Sequence, residues 1–281
     1  MNFKAVPSTP ILLAVCTGLS LLFLSIFAQA DKKINVAVAS NFKACFNQLA
    51  LEYEQQVDGV KLQTSFASSG QLAAMISRGA PYQLFLSADS ARVDALIKNK
   101  HVRPEDSFVY AQGLLGLWFA DKPAPQACSN NKRSNKADKH LLDSKWLSSK
   151  QAQVQIKRLS MANPKHAPYG LAAQQALQNL GLWPIWKSKT VYGQNVAQSL
   201  QFVLSGSAQA GFIGQAQWFE LAAHNKQTGS FCLLPQTSYA AIKQKAALIN
   251  TNQTEAALDF FKFLQTKSSQ RRIKACGYSL P

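Results

Sequence analysis

Negative charge is scarce in this chain, histidine is scarcer, and cysteine is sparse and irregularly spaced. Against 30 Lys and Arg stand 14 Asp and Glu, with four histidines, His101, His140, His166 and His224. None of the four falls in HExxH or another metal-binding spacing, there is no CxxC, and no Cys/His cluster resembles a zinc site. The GxSxG elbow, the phosphate-cradling P-loop and the dinucleotide GxGxxG are also missing. The familiar hydrolase, nucleotide and zinc chemistries therefore have no footing here. Carboxylates are few, and most fall on expected helix surfaces; Asp89, at the end of LFLSAD, is placed either as a crevice carboxylate or as a helix cap.

Apolar runs that approach a membrane span are missing too, with one exception at the start. MNFK supplies a short basic opening, ILLAVCTGLSLLFLSIF an apolar stretch, and AQA ends at Ala30 with the small residues a signal peptidase reads. Residues 1–30 are expected to be a signal peptide cleaved after Ala30, the alternative being an uncleaved anchor. Cys16 follows Val15, not the small residue that precedes a lipid-attachment cysteine. The roughly 250 residues that remain suffice for one large or two modest domains. Export argues against a nucleic-acid partner despite the net charge of +16, and a basic surface can equally draw in small anions. Four cysteines remain, Cys45, Cys128, Cys232 and Cys276, an even number that suits disulfides in an exported chain. Three pairings are open, as are free buried thiols.

What the sequence does have is an alternation of strand-like and helix-like segments. INVAVAS is followed by FKACFNQLALEYEQQ, VKLQTSF by QLAAMISRG, and LFLSAD by SARVDALIKN, a rhythm that indicates an α/β fold with a largely parallel sheet. GLLGLWFA, residues 113–120, reads as a long apolar strand, and the Pro-, Asn- and Lys-rich stretch at about 121–150 as an exposed basic loop with one short helix near its end. VQIKRLSMANP, KTVYG, AQAGFIG, SFCLLP and KAALI read as further strands, LAAQQALQNLG and VAQSLQFVLSG as helices. TNQTEAALDFFKFLQTKSSQRRIKAC gives one long or two adjoining amphipathic helices, expected to return and cover the first unit. Two α/β lobes with a cleft between them suggest capture of a ligand by closure.

One uncharged pattern recurs where strands give way to helices: Ser40-Asn41, Ser68-Ser69-Gly70, Pro168-Tyr169-Gly170 and Asn195-Val196. Each turn places free backbone N–H groups at a helix start, and Ser, Asn and Tyr add side-chain donors. Singly they read as ordinary caps. Facing one cleft, they would make an anion site that needs no Lys or Arg.

The segments AVASNF, SFASSGQLAAMISRGAPYQLFLSAD, LSMANPKHAPYGLAAQQALQNLGLW, NVAQSLQFVLSGSAQAGFI and GYSLP, taken in order, resemble the periplasmic molybdate-binding proteins, the solute receptors of molybdate ABC importers. The resemblance runs from Ile34 to Pro281. It implies a type II periplasmic binding protein fold, two α/β lobes joined by two crossover strands, with molybdate or tungstate in the cleft. Residues 31–112 and 240–281 would form the first lobe and 113–239 the second. The anion would be held by Ser40 with Asn41, by the hydroxyl and N–H of Ser69, and by the N–H groups of Tyr169 and Val196. Some relatives carry a tyrosine hydroxyl in a GxVY segment where this chain reads GFIG, leaving Gly214, so that Asn41 or Tyr169 would have to supply it. The lobe assignment pairs Cys45 with Cys276 and Cys128 with Cys232.

The implied function is non-enzymatic: a monomeric receptor, free of cofactor, that carries molybdenum only as molybdate and delivers it to a membrane permease. Molybdate and tungstate are larger than sulfate, so a rigid cleft can leave the smaller anion short of its donors. Alternatives are the same fold tuned to sulfate or a phosphonate, or a secreted enzyme with His166 near Tyr169 as its acid/base group.

Overall fold

The computed structural model describes residues 1–2, 32–120, 128–129, 141–224 and 229–281. The expected signal peptide and most of the basic loop lie outside the described residues. Among these, no helix is long and apolar enough to cross a membrane.

The chain runs through β1 (Lys32–Ala39), α1 (Lys43–Gln56), β2 (Val60–Ala67), α2 (Ser69–Ser77), β3 (Leu84–Ser87), α3 (Ser90–Lys98) and β4 (Ser107–Gly113). It continues through β5 (Leu115–Phe119), β6 (Cys128–Ser129), β7 (Leu141–Leu142), α4 (Ser144–Ser148), α5 (Lys150–Gln155), β8 (Leu159–Ala162), α6 (Pro168–Asn179), α7 (Trp183–Trp186) and β9 (Thr190–Gly193). The last part holds α8 (Val196–Leu204), β10 (Ala210–Gly214), α9 (Gln215–Ala223), β11 (Ser230–Leu233), β12 (Ile242–Leu248), α10 (Glu255–Phe263) and α11 (Lys267–Ala275).

These strands form two sheets, ordered β2-β1-β3-β12-β4 and β6-β7-β11-β5-β10-β8-β9. β1, β2 and β3 are parallel, and β12 enters antiparallel between β3 and β4. In the second sheet β8, β9 and β10 are parallel while β5 runs against both β10 and β11. The chain leaves the first sheet at Gly113, enters the second at Leu115, and returns between Leu233 and Ile242. Two α/β sheets joined by two crossings are the periplasmic binding protein arrangement, and residues 31–281 form one compact unit.

Side-chain alternation explains the layering, because successive residues of a strand face opposite sides. Val36, Val38, Leu84 and Leu86 pack under α1, α10 and α11 with Phe42, Phe46, Phe260 and Ile273. Ala37 and Phe85 face the other way, onto Leu72 and Ile76 of α2 and Val93 of α3. Both faces are covered, so these strands read as unbroken apolar runs. In the second sheet Leu115, Leu117 and Phe119 meet Ala173 and Leu177 of α6, and Trp118 meets Leu200 and Val203 of α8.

Cys45 is bonded to Cys276, fastening α11 to α1, and Cys128 to Cys232, fastening the edge strand β6 to β11. One reading needs correction. The strand expected over 154–164 begins only at Leu159, because Val154 and Gln155 complete α5, whose start is capped by Ser149 Oγ accepting from Ala152 N–H. β4 and α9 were not foreseen. Of the two forms expected for the C-terminal segment it takes the second, two adjoining helices, broken where Thr266 Oγ1 accepts from Ser269 N–H to cap the second.

Candidate anion-binding site

Each recurrent turn sits where a strand ends and a helix begins, and the structure separates the residues that cap from those that remain free. In the Ser68-Ser69-Gly70 turn, Ser68 is the cap. Its Oγ accepts from Gln71 N–H at 3.4 Å, and Gln71 Oε1 accepts from Ser68 N–H at 3.2 Å. This reciprocal box fixes the start of α2. Ser69, the first residue of the helix, is fully buried, and its Oγ accepts from Ala88 N–H at 2.8 Å. That bond leaves the Ser69 hydroxyl proton to be given elsewhere.

Asn195 plays the Ser68 part in the second lobe. Its Oδ1 accepts from Gln198 N–H at 3.0 Å, so Val196 becomes the first residue of α8. Tyr169 is the second residue of α6, after Pro168, whose ring suits the first helical position. At these positions α-helical geometry leaves the N–H groups of Ser69, Tyr169 and Val196 without an acceptor within the helix. Ser40 opens a single 3-10 turn after β1 and is buried.

These turns meet. Ser40, Asn41, Ser69, Tyr169 and Val196 all line one small cavity of about 10 Å³ between the two sheets, and no lining residue is charged. Gly70 N–H donates to His166 O at 2.9 Å, a backbone bond from α2 to the loop before α6 that holds the two sides together. A Cβ built on Gly70 would stand 2.8 Å from that same oxygen, so glycine is what the close approach requires. His166 contributes only this carbonyl: its side chain is exposed and lines no part of the cavity. Asp89 is a helix cap, accepting from Arg92 N–H at 3.2 Å and ion-paired with the Arg92 guanidinium. The enzymatic alternative thereby loses His166, its candidate acid/base group. Among the described residues, no cluster of three or more His, Cys, Asp or Glu could hold a metal ion.

The position at Gly214 has a steric reason. A Cβ there would lie 3.0 Å from Tyr169 Cε1, so the Tyr169 ring takes the space above the glycine. Of the two proposed stand-ins for the absent tyrosine, Asn41 has its amide protons committed, while Tyr169 accepts a bond and keeps its hydroxyl proton. Asn41 Nδ2 donates to Gln244 Oε1 at 2.9 Å and to Tyr278 Oη at 3.2 Å, and Tyr169 Oη accepts from Gln244 Nε2 at 3.3 Å. Burial pushes the Tyr169 phenol well above the usual tyrosine value, and the neighbouring Tyr278 and Tyr239 act in the same direction. Tyr278 is raised by burial as well. Both stay neutral at any physiological pH.

Sequence reasoning missed Gln244, Tyr110 and Tyr278, which stand behind the cavity and not in it. The GYSLP tail contains Tyr278 and so carried one visible signal. Gln244, inside KQKAAL, carried none.

Comparison with known proteins agrees with this geometry. Residues 34–279 match the family model described as bacterial extracellular solute-binding protein. The molybdate-binding protein ModA of Azotobacter vinelandii is 36% identical over 95% of this chain and 97% of its own. That of Rhodobacter capsulatus is 30% identical over 94% and 95%. Among solved structures, the periplasmic molybdate-binding protein of Azotobacter vinelandii superposes with a TM-score of 0.73 at 31% identity, covering 88% of this chain and 99% of that one.

Proposed function

The chain belongs to the bacterial extracellular solute-binding protein family, and from that premise we propose that it binds molybdate in the periplasm and delivers it to the permease of an ABC importer. Tungstate, of the same shape and charge, is held by the same donors. The observation that carries the reading is the convergence of three helix N-termini and the Ser69 hydroxyl on one uncharged cavity. Such a cavity suits a compact dianion and offers little to a neutral or cationic solute.

In this reading Ser40 and Ser69 give hydroxyl protons, and Ser69, Tyr169 and Val196 give backbone N–H. Asn41 orients the first turn. Residues 31–112 with 240–281 form one lobe and 113–239 the other, and the lobes close on the anion. The chain acts as a monomer after cleavage at Ala30, without a cofactor and without enzymatic activity. That relatives at 30% and 36% identity bear the name molybdate-binding supports the choice of anion.

Calorimetric titration of the exported protein with molybdate, tungstate, sulfate and phosphate tests this. Saturable heat with the first two at micromolar concentration is expected. No heat and no thermal stabilisation with molybdate would refute the proposal, and preference for sulfate would reassign the cargo.

A further inference from the structure

Behind the cavity lies a polar group that neither caps a helix nor lines the site. Gln244 is on β12, the strand that follows the second crossing, and its side chain is fully buried. The pairing of β12 with β4 shifts register between Gln244 and Lys245 and skips Tyr110. A bulge of this kind re-aims side chains. Here Tyr110 Oη donates to Gln244 Oε1 at 3.0 Å, alongside Asn41 Nδ2 at 2.9 Å.

The amide is asymmetric, and this matters. An oxygen that already accepts two bonds fixes which end of the amide is which, so Nε2 points the other way. It donates to Tyr169 Oη at 3.3 Å, across from the first sheet to the helix of the second. Gly113, where the chain first crosses between sheets, leaves room for the bond: a Cβ there would stand 2.0 Å from Tyr169 Oη and 3.0 Å from Gln244 Nε2. One buried side chain therefore holds Asn41, beside the first turn, and Tyr169, whose backbone opens α6 onto the cavity.

We infer that Gln244 is a positioning residue for the anion, a fixed donor on which the Tyr169 hydroxyl lands as the lobes close, locking the α6 N-terminus and the Asn41 turn in their binding positions together. This rests on the anion-receptor reading above. When the lobes part, the same N–H meets water, so the bond adds to closure and not to the stability of either lobe alone. The geometry assigns Gln244 a part in retention of the anion more than in its capture.

The test uses the full exported protein with Gln244→Met, a substitution of similar length that removes the amide, and Tyr169→Phe, which removes only the far end of the bond. Molybdate affinity is measured by calorimetry, release by stopped-flow displacement, and closure by the change in radius of gyration on saturation. Each variant should bind roughly tenfold to a hundredfold more weakly, with the loss in the release rate and a smaller contraction on binding. The double variant should be no worse than Gln244→Met, since both remove one bond. Wild-type release rates in Tyr169→Phe, or losses that multiply in the double variant, would overturn the inference, and Tyr169→Phe decides alone if Gln244→Met does not fold. A fall in thermal stability with unchanged release and contraction would mark Gln244 as structural only and overturn it too. Failure of the wild-type protein to bind molybdate would instead refute the anion-receptor reading, and the inference with it.

Discussion

Replacing Ser69 by alanine separates the binding role of the Ser-Ser-Gly turn from its structural one. Ser69 is fully buried, and its Oγ already accepts from Ala88 N–H at 2.8 Å, so the single hydroxyl proton is free for the anion. A hydrogen bond to a charged acceptor contributes about 1 to 3 kcal/mol. At about 1.4 kcal/mol per decade, Ser69→Ala should weaken molybdate binding roughly fivefold to 150-fold. The upper end is favoured by a second effect: in the open state water can satisfy Ala88 N–H, whereas closure would bury it unpaired. The neighbouring Ser68→Ala provides the contrast. Ser68 also lines the cavity, but its hydroxyl proton is committed to Gln71 Oε1 at 2.8 Å and its oxygen caps α2, so its loss should lower unfolding free energy by about 0.5 to 2 kcal/mol while leaving affinity close to wild type. Calorimetry and thermal melts of both variants decide the matter. A Ser69→Ala dissociation constant within twofold of wild type, or an equal loss of affinity in Ser68→Ala, would refute the division of labour.

Gly70→Ala should weaken binding with no loss of apo stability, since alanine suits a helix better than glycine while its Cβ would press on His166 O at 2.8 Å; an unchanged affinity would mean that this approach is not needed for closure. Stability should fall with rising pH from about 10 upward, as the unfolded chain then releases protons that Tyr110, Tyr169, Tyr239 and Tyr278, all raised by burial, retain when folded. Urea titrations at pH 8 to 11 check the sign, and constant stability over that range would contradict it. Removing the Cys45–Cys276 bridge, with a sequence separation of 231, should lower stability by about 5 kcal/mol on the chain-entropy argument, measurable as a drop in denaturation midpoint after Cys45→Ala/Cys276→Ala.

How far the sequence revealed the site depended on how local each signal was. Ser68, Ser69, Asn195 and Val196 were visible because a polar residue between an apolar strand and a periodic helix is a local pattern. β4 was not visible: SFVYAQG has polar residues at both ends and a bulge at Tyr110, so neither periodicity nor length marks it. The single apolar run at 113–120 likewise concealed the crossing between sheets at Gly113–Leu115. Gln244 lies between Lys243 and Lys245, just ahead of the strand read as KAALI, yet it is fully buried. Its partners Asn41 and Tyr110 lie 203 and 134 residues away in sequence. No window along the chain contains that information.

The opposition between a basic chain and an uncharged site follows from electrostatics. A helix N-terminus acts as roughly half a positive charge, so the starts of α2, α6 and α8 together offset about three quarters of a dianion. Those dipoles are fixed by backbone hydrogen bonds and need no side-chain ordering when the anion arrives. A lysine in the same place would need its own desolvation and would hold any anion, protonated or not, with little regard for size. Rigid N–H donors demand a match between oxygen spacing and donor spacing, and Gln244 tightens that demand by tying one wall of the cavity to the other. The surplus of Lys and Arg is then free to act from outside, where it raises the local concentration of anions without choosing among them. Raising ionic strength should accordingly slow molybdate association while leaving its release rate unchanged, because only association samples the screened exterior field. Equal salt dependence of both rates, measured by stopped-flow, would place charge inside the site and contradict the neutral cavity.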